Sequence, residues 1–241
     1  MNNQQRVADS NVTIMLCILA TFCEGINLQA AGVAAAGIVG EHHPDARTLG
    51  AFFSASTLGL FIGALLGGKL ADHVGRKLVL VSSVGIFGVF SLLTAAAWDM
   101  SSLTWMRLLT GLGLGGALPN LIALVAESSS EDRRNANVTL VYAGTPLGGA
   151  LISLVSMLSP SEAWRWMFII GGVVPLLITP VMARYLPESA RLSRRSQCAS
   201  EFIAGIEAQC LAGLIWRGAC ATYIVAVVQL LSGVADAVSV A

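Results

Sequence analysis

The sequence predicts an all-α polytopic membrane protein with six spans, and three observations carry that expectation. Hydrophobic residues make up 55% of the 241 positions and charged residues 12%, about half the charge of a soluble domain at roughly 25%. Glycine occurs 25 times, and glycine is commoner in membrane helices than in soluble ones. Apolar stretches near the roughly 20 residues that a spanning helix needs recur between short polar links. Mean hydropathy is +0.74. This composition excludes an ordinary soluble enzyme and a disordered tail. Formal net charge is zero, from 14 basic and 14 acidic residues, so no basic footprint for nucleic acid exists.

The spans are read at about 12–38, 49–71, 78–98, 102–126, 136–158 and 166–186. The apolar run of the first is too long for a signal-peptide core and lacks a cleavage site, so it reads as a signal-anchor-like span. Cys17 and Cys23 lie inside it and read as small hydrophobes. Cys198, Cys210 and Cys220 fall near the C-terminus at no metal-ligand spacing. The link 40–48 is polar and contains Pro44; 72–77 is short and charged; 99–101 is a tight turn. The link 127–135 carries Glu127, Glu131, Asp132, Arg133 and Arg134, and 159–165 begins Ser-Pro-Ser-Glu.

Orientation follows from the basic residues. Arg6, Lys69, Arg76, Lys77, Arg133, Arg134, Arg184, Arg191, Arg194 and Arg195 share one side, and only Arg47 and Arg165 take the other. That bias puts the N-terminus in the cytoplasm. Trp98, Trp105, Trp164 and Trp166 fall at the opposite ends of the spans, where interfacial aromatics belong. A faint repeat links Gly59-x-x-x-Gly63-Ala64-Leu65 in span 2 to Gly144-x-x-x-Gly148-Gly149-Ala150-Leu151 in span 5, the spacing of an inverted three-span repeat. Residues 1–190 form the six-span unit. Residues 191–241 read as an atypical tail whose one doubtful span, about 211–231, is interrupted by Arg217.

The link after span 2 reads Gly68-Lys69-Leu70-Ala71-Asp72-His73-Val74-Gly75-Arg76-Lys77. Gly68 is expected to admit a close helix, and Asp72 to bond free N–H groups at the next helix start. Gly75 suits a turn that a Cβ would strain. Arg76 and Lys77 suit helix C-terminal carbonyls or lipid phosphate. This order resembles the loop between spans 2 and 3 of the major facilitator superfamily, G-x-L-A-D-x-x-G-R-K, with His73 at a usual basic position. Arg107-x-x-x-Gly111-x-Gly113-x-Gly115-Gly116 is similar to that family's span-4 pattern. Leu186-Pro187-Glu188-Ser189-Ala190-Arg191 is similar to its P-E-S-P-R segment. The resemblance covers residues 12 to about 191. It implies the N-terminal six-helix bundle of a two-bundle carrier, with the loop as a conformational latch.

Glu24 is an ionisable group deep in span 1, a functional candidate by that position alone. At 1.5 Å per residue it lies about 18 Å from the residue-12 end, and Arg107 about 7–8 Å from the opposite face. In a core about 30 Å thick the two lie within roughly 5 Å in depth, which suits a pair or a paired site for an anion. Asn27 shares a helical face with Glu24, while Gln29 points elsewhere. Pro119, Asn120, Tyr142 and Pro146 are further candidates for a cavity face. A buried structural contact is the competing role for Glu24, and interfacial snorkelling for Arg107.

The run Glu24-Gly25-Ile26-Asn27-Leu28-Gln29-Ala30-Ala31-Gly32 resembles span 1 of the aromatic-acid/proton symporters, with Asn27 in place of an acid. Together with Gly115–Leu124 it looks most like the 3-(3-hydroxyphenyl)propionate transporters of enteric bacteria. The resemblance implies proton-coupled uptake of a small aromatic carboxylate, such as 3-hydroxyphenylpropionate, by alternating access across the bacterial cytoplasmic membrane, with this chain expected to be a truncated form of such a carrier. It implies no cofactor beyond the proton gradient, and no metal. Glu24, Asn27, Arg107, Asn120 and Tyr142 are the substrate and proton candidates; Gly68, Asp72, Gly75, Arg76 and Lys77 form the latch. The implied partners are a small organic anion, a proton, the lipid bilayer and a second six-helix half that this chain does not contain. The competing readings are a carrier of another organic solute, a truncated non-transporting fragment, and an intramembrane serine protease. The protease reading is weak, because His42, His43 and His73 all lie in links and no Gly-x-Ser-x-Gly turn exists.

Overall fold

The computed structural model describes residues 3–160 and 163–187, with side chains from residue 11 onward. The doubtful span at 211–231 and the rest of the tail lie outside the described residues. Six helices run in chain order: α1 (Asn3–His42), α2 (Ala46–Val74), α3 (Arg76–Ala95), α4 (Met100–Ser128), α5 (Arg134–Leu158) and α6 (Trp164–Tyr185). A one-turn 3-10 segment, Glu131–Arg133, precedes α5. All six are long and apolar enough to cross a membrane, and no strand occurs among the described residues.

Local chemistry explains each junction. The first helix runs through Gly40-Glu41-His42, four residues past the expected end and into the link read as polar loop. It stops where Pro44 forbids continuation, with His43 at φ 44°. Glu41 is retained in the helix because α6 engages it: Arg165 donates to Oε2 and Oε1 at 2.8 and 2.7 Å, and Trp164 Nε1 donates to Oε2 at 2.8 Å. Asp45 caps α2 by accepting from the Thr48 N–H at 3.1 Å. Asp99 and Ser102 form a reciprocal capping box that starts α4. Between α2 and α3 a single residue breaks the helix, Gly75 at φ 100°, a conformation that glycine tolerates and other residues resist.

Packing is organised as two matching halves. Helices α2 and α4 form the most intimate pair, α1 and α5 the next; α3 lies against α4 and α6, and α6 against α1. Helices α1, α3 and α4 bury most of their apolar stretch, whereas α2 and α5 bury less than a quarter. Lipid offers no hydrophobic drive for helix association, so small residues that let backbones approach do that work. Gly59 and Gly63 of α2 face the carbonyls of Leu108 and Leu112 on α4; Gly144 and Gly148 of α5 face those of Ile18 and Phe22 on α1. In return Gly115 meets the Leu60 carbonyl and Gly25 the Thr145 carbonyl. One offset relates α2 to α5 and another relates α1 to α4, throughout. Because the halves are three helices each, they run in opposite senses. The weak glycine repeat of the sequence is therefore the contact surface of a 3+3 inverted repeat. The glycine run of α4 serves two neighbours: Gly111 and Gly115 admit α2, Gly113 and Gly116 admit α3 at Phe87 and Ser83.

Several expected details change. Gly68 is not the point of close approach, because a Cβ there would meet nothing within 4 Å. The helical register turns Gly67 inward instead, where a Cβ would sit 2.6 Å from the Gly116 Cα. Asp72 does not cap α3: it remains within α2, exposed, and α3 starts at Gly75 without a side-chain cap. Trp98, Trp105 and Trp166 are exposed, as interfacial aromatics should be, but Trp164 is buried beneath Glu41 and edge-on to Phe168.

Candidate functional site

Polar side chains are scarce inside the bundle, and four helices bring a group of them together. Arg107 on α4 is 1% exposed and is the largest fully buried side chain among the described residues. Its NH2 nitrogen donates to the Asn27 main-chain carbonyl on α1 and to Ser56 Oγ on α2, both at 3.2 Å. The guanidinium lies 5.5 Å from the centre of the Phe168 ring on α6, within cation–π reach. Its Nε and NH1 are buried without hydrogen-bond partners. The described ion pairs involve Glu41 and Glu127, at the helix ends, so this guanidinium is not neutralised by a carboxylate among the described residues.

Glu24, 2% exposed, has a buried Oε2 with no partner. The Glu24–Arg107 ion pair considered from the sequence is not formed. The guanidinium is engaged instead by the Asn27 main-chain carbonyl and by Ser56 Oγ. Both the acid and the base are buried in the bundle, each with unused hydrogen-bonding capacity.

Asn27 is completely buried and does not face an open cavity. Its Nδ2 donates to the Gly171 carbonyl on α6 at 2.5 Å and to the Cys23 carbonyl at 3.3 Å. Its Oδ1 has no partner. Asn120 lies elsewhere. Thirteen residues along α4, about 20 Å from the Arg107 level, it donates to the Gly116 and Gly67 carbonyls at 2.8 and 3.4 Å and so ties α4 to α2. Tyr142 stands on an exposed face of α5. Cys17 and Cys23 are buried free thiols. No cluster of three His, Cys, Asp or Glu able to hold a metal occurs among the described residues.

Three members of the group were not legible as such: Ser56, Phe168 and Ser91, whose hydroxyl donates to the Phe168 carbonyl at 3.0 Å. A serine or phenylalanine in an apolar helix carries no signal until its neighbours are known. A groove of about 410 Å³ runs between α1 and α5, lined by Gly25, Leu28, Gln29, Thr145, Pro146, Gly149, Ala150 and Ser153. Gln29, set aside in the sequence, is thus exposed in a groove with two hydroxyl side chains.

At the Gly75 junction, Arg76 donates to Glu127 at the end of α4, and Arg134 Nε donates to the Ala126 carbonyl at 3.1 Å. Arg76 and Arg134 therefore both engage the final turn of α4.

Comparison with known proteins agrees with this architecture. The profile of the Major Facilitator Superfamily matches residues 17–239. The chain is 50% identical over 188 residues to the 3-(3-hydroxyphenyl)propionate transporter of Escherichia coli, covering 78% of this chain and 47% of that protein. It is 40% identical over 179 residues to the 4-hydroxybenzoate transporter PcaK of Pseudomonas aeruginosa, covering 74% and 40%. The inward-open structure of the xylose transporter XylE from E. coli superposes with a TM-score of 0.68 at 18% identity, covering 87% of this chain and 55% of that one; at that identity the likeness concerns the fold alone. The chain spans about half the length of the curated relatives it matches.

Proposed function

The chain belongs to the major facilitator superfamily, a family of membrane transporters rather than enzymes, and from that premise we propose that it forms one wall of a proton-coupled carrier for a small aromatic carboxylate. The observation that carries this reading is the Arg107 guanidinium, buried, without a carboxylate partner among the described residues, and with Nε and NH1 unused. An unpaired buried cation is costly. A substrate carboxylate supplies the missing charge and accepts charge-assisted hydrogen bonds from the unused guanidinium N–H groups. The relatives support the same chemistry, since those named above are a hydroxyphenylpropionate transporter and a hydroxybenzoate transporter; both compounds join an aromatic ring to a carboxylate.

Glu24 is assigned the proton. Among the described residues it is the one carboxyl remote from the helix ends, and its free Oε2 has room for a proton. Buried in the same bundle as Arg107, it is assigned to sense whether the guanidinium is neutralised by substrate. Binding and protonation are thereby coupled through charge rather than through a direct bond. Alternating access then needs a second bundle on the open side of this one, because such sites lie between bundles near the midplane. The junction formed by Gly68, Asp72, Gly75, Arg76 and Lys77 is proposed as the latch of that motion, with the exposed Asp72 carboxylate available to the second bundle. The setting is the bacterial cytoplasmic membrane, with the N-terminus inside.

A chimera tests the proposal. Residues 1–187 replace the matching part of the E. coli 3-(3-hydroxyphenyl)propionate transporter, and uptake of that acid is compared with uptake of its neutral amide. The chimera is expected to carry the acid and not the amide, and Arg107→Gln to abolish uptake at unchanged expression. Equal uptake of acid and amide, or full uptake with Gln at position 107, overturns the assignment.

A further inference from the structure

Helix α6 contains Pro175, which has no N–H to give to the carbonyl four residues back. That carbonyl belongs to Gly171, and it is the acceptor of the short hydrogen bond from Asn27 Nδ2 on α1. The orientation of the Asn27 amide is dictated by its partners. Both groups facing Nδ2 are carbonyls, of Gly171 and Cys23, so only the nitrogen can be turned toward them. The same residue offers its own main-chain carbonyl to Arg107 NH2. One turn from Gly171, Phe168 presents its ring to the Arg107 guanidinium, and its carbonyl is held by Ser91 of α3. Gly171 is tightly enclosed by this arrangement: a Cβ there would meet Asn27 Oδ1 at 3.0 Å and Ser91 Oγ at 3.2 Å.

We propose that Asn27 is the positioning residue of the site, supplying from α1 the hydrogen bond that Pro175 denies to α6 and, through its main chain, holding the aim of Arg107. Asn27 on this account touches neither substrate nor proton. It fixes the bend of α6 at Gly171–Pro175, and with it the distance between the Phe168 ring and the guanidinium. The role requires a donor at the side-chain terminus. An ionised aspartate at this position cannot fill it, so the asparagine that departs from the acidic pattern of the family resemblance is here the functional choice. The consequence for the site rests on the carboxylate reading of Arg107; the bond between α1 and the proline bend does not.

The test is a double-mutant cycle on the full 241-residue chain, purified in detergent. Pro175→Ala restores a main-chain N–H to Gly171 and makes the Asn27 amide redundant. Asn27→Ala is expected to lower the thermal midpoint by about 2–4 °C, the shift that one lost hydrogen bond causes in a chain of this size. Adding Pro175→Ala should return most of that loss, whereas Asn27→Asp should not. Benzoate serves as the site probe in the chimera that carries residues 1–187: its half-protecting concentration should rise at least about threefold in Asn27→Ala, an effect within the range of one net hydrogen bond, and recover in the double variant. If Asn27→Ala does not accumulate, Asn27→Ala/Pro175→Ala must accumulate as Pro175→Ala does. Additive losses in the cycle, or a double variant that fails where Pro175→Ala succeeds, overturn the proposal. If Arg107→Gln leaves benzoate protection intact while the midpoints still show coupling between 27 and 175, the carboxylate reading falls and the positioning of α6 stands.

Discussion

Alanine at Gly63 presses a methyl carbon onto the Leu112 peptide of α4, with the Leu112 carbonyl carbon at 2.8 Å and Cα at 3.0 Å. All these neighbours are backbone, so no side-chain rotation relieves the contact. To reach ordinary separation α2 and α4 must part by about 1 Å, and a gap of that width forfeits a quarter to a half of each dispersion contact it opens. With roughly 20–30 atom pairs at about 0.15 kcal/mol each along the glycine ridge, the loss is about 1–2 kcal/mol, in the range of overpacking costs generally. Alanine also favours the helix over glycine, which obscures the effect in a single variant. Gly68→Ala removes that ambiguity, since it gains the same propensity and its Cβ meets nothing within 4 Å. The difference between Gly63→Ala and Gly68→Ala is therefore expected to be about 1–2 kcal/mol, read from SDS titration of the purified chain in mixed micelles followed by helix content. Gly148→Ala, the symmetry mate of Gly63→Ala, should match it within about 0.5 kcal/mol. Gly63→Ala and Gly68→Ala falling together would refute the close-packed ridge, and unequal symmetry mates would refute the equivalence of the two halves.

Three further outcomes follow from single contacts. Arg76 and Glu127, with side chains 18% and 25% exposed, should show a coupling of about 1 kcal/mol in a double-mutant cycle, and exchanging the two charges should recover part of either single loss. The Asp99 carboxyl is held below its ordinary value by hydrogen bonding from the Ser102 side chain and then its backbone N–H. Its contribution to stability is thus present above the unfolded value of about 3.9 and lost as pH falls through the folded one. Asp99→Asn should flatten the acid limb of an unfolding-versus-pH curve, and an unchanged limb would show that the cap does not titrate there. For orientation, cysteines placed singly at Thr48 and Asn135 should react with an impermeant external reagent at 48 and not at 135; the reverse pattern inverts the assigned topology.

The six helices were legible because hydropathy acts locally; the caps at Asp45 and Asp99 emerge only from the structure. Contacts that depend on helical register were less so. Gly68 stands in a recognisable pattern, yet Gly67 carries the packing, because one residue turns a helix by about 100°. Depth arithmetic brought Glu24 and Arg107 to neighbouring levels but could not choose between Glu24 and the Asn27 carbonyl as the partner of Arg107. The extension of α1 to His42 depends on Trp164 and Arg165, far along the chain. Asn27 was read as a cavity residue from its shared face with Glu24. Its actual partner is the carbonyl left free by Pro175, a relation visible only once α1 and α6 are adjacent.

The coupling of substrate carboxylate to a proton at Glu24 is tested most directly by proton flux. Vesicles holding the chimera with residues 1–187 of this chain are pulsed with 3-(3-hydroxyphenyl)propionate in the absence of an imposed gradient, and external pH is followed. The account predicts substrate-driven alkalinisation of the medium that disappears with Glu24→Gln, while the protein still assembles in the membrane. Alkalinisation of the same size with glutamine at position 24 contradicts it.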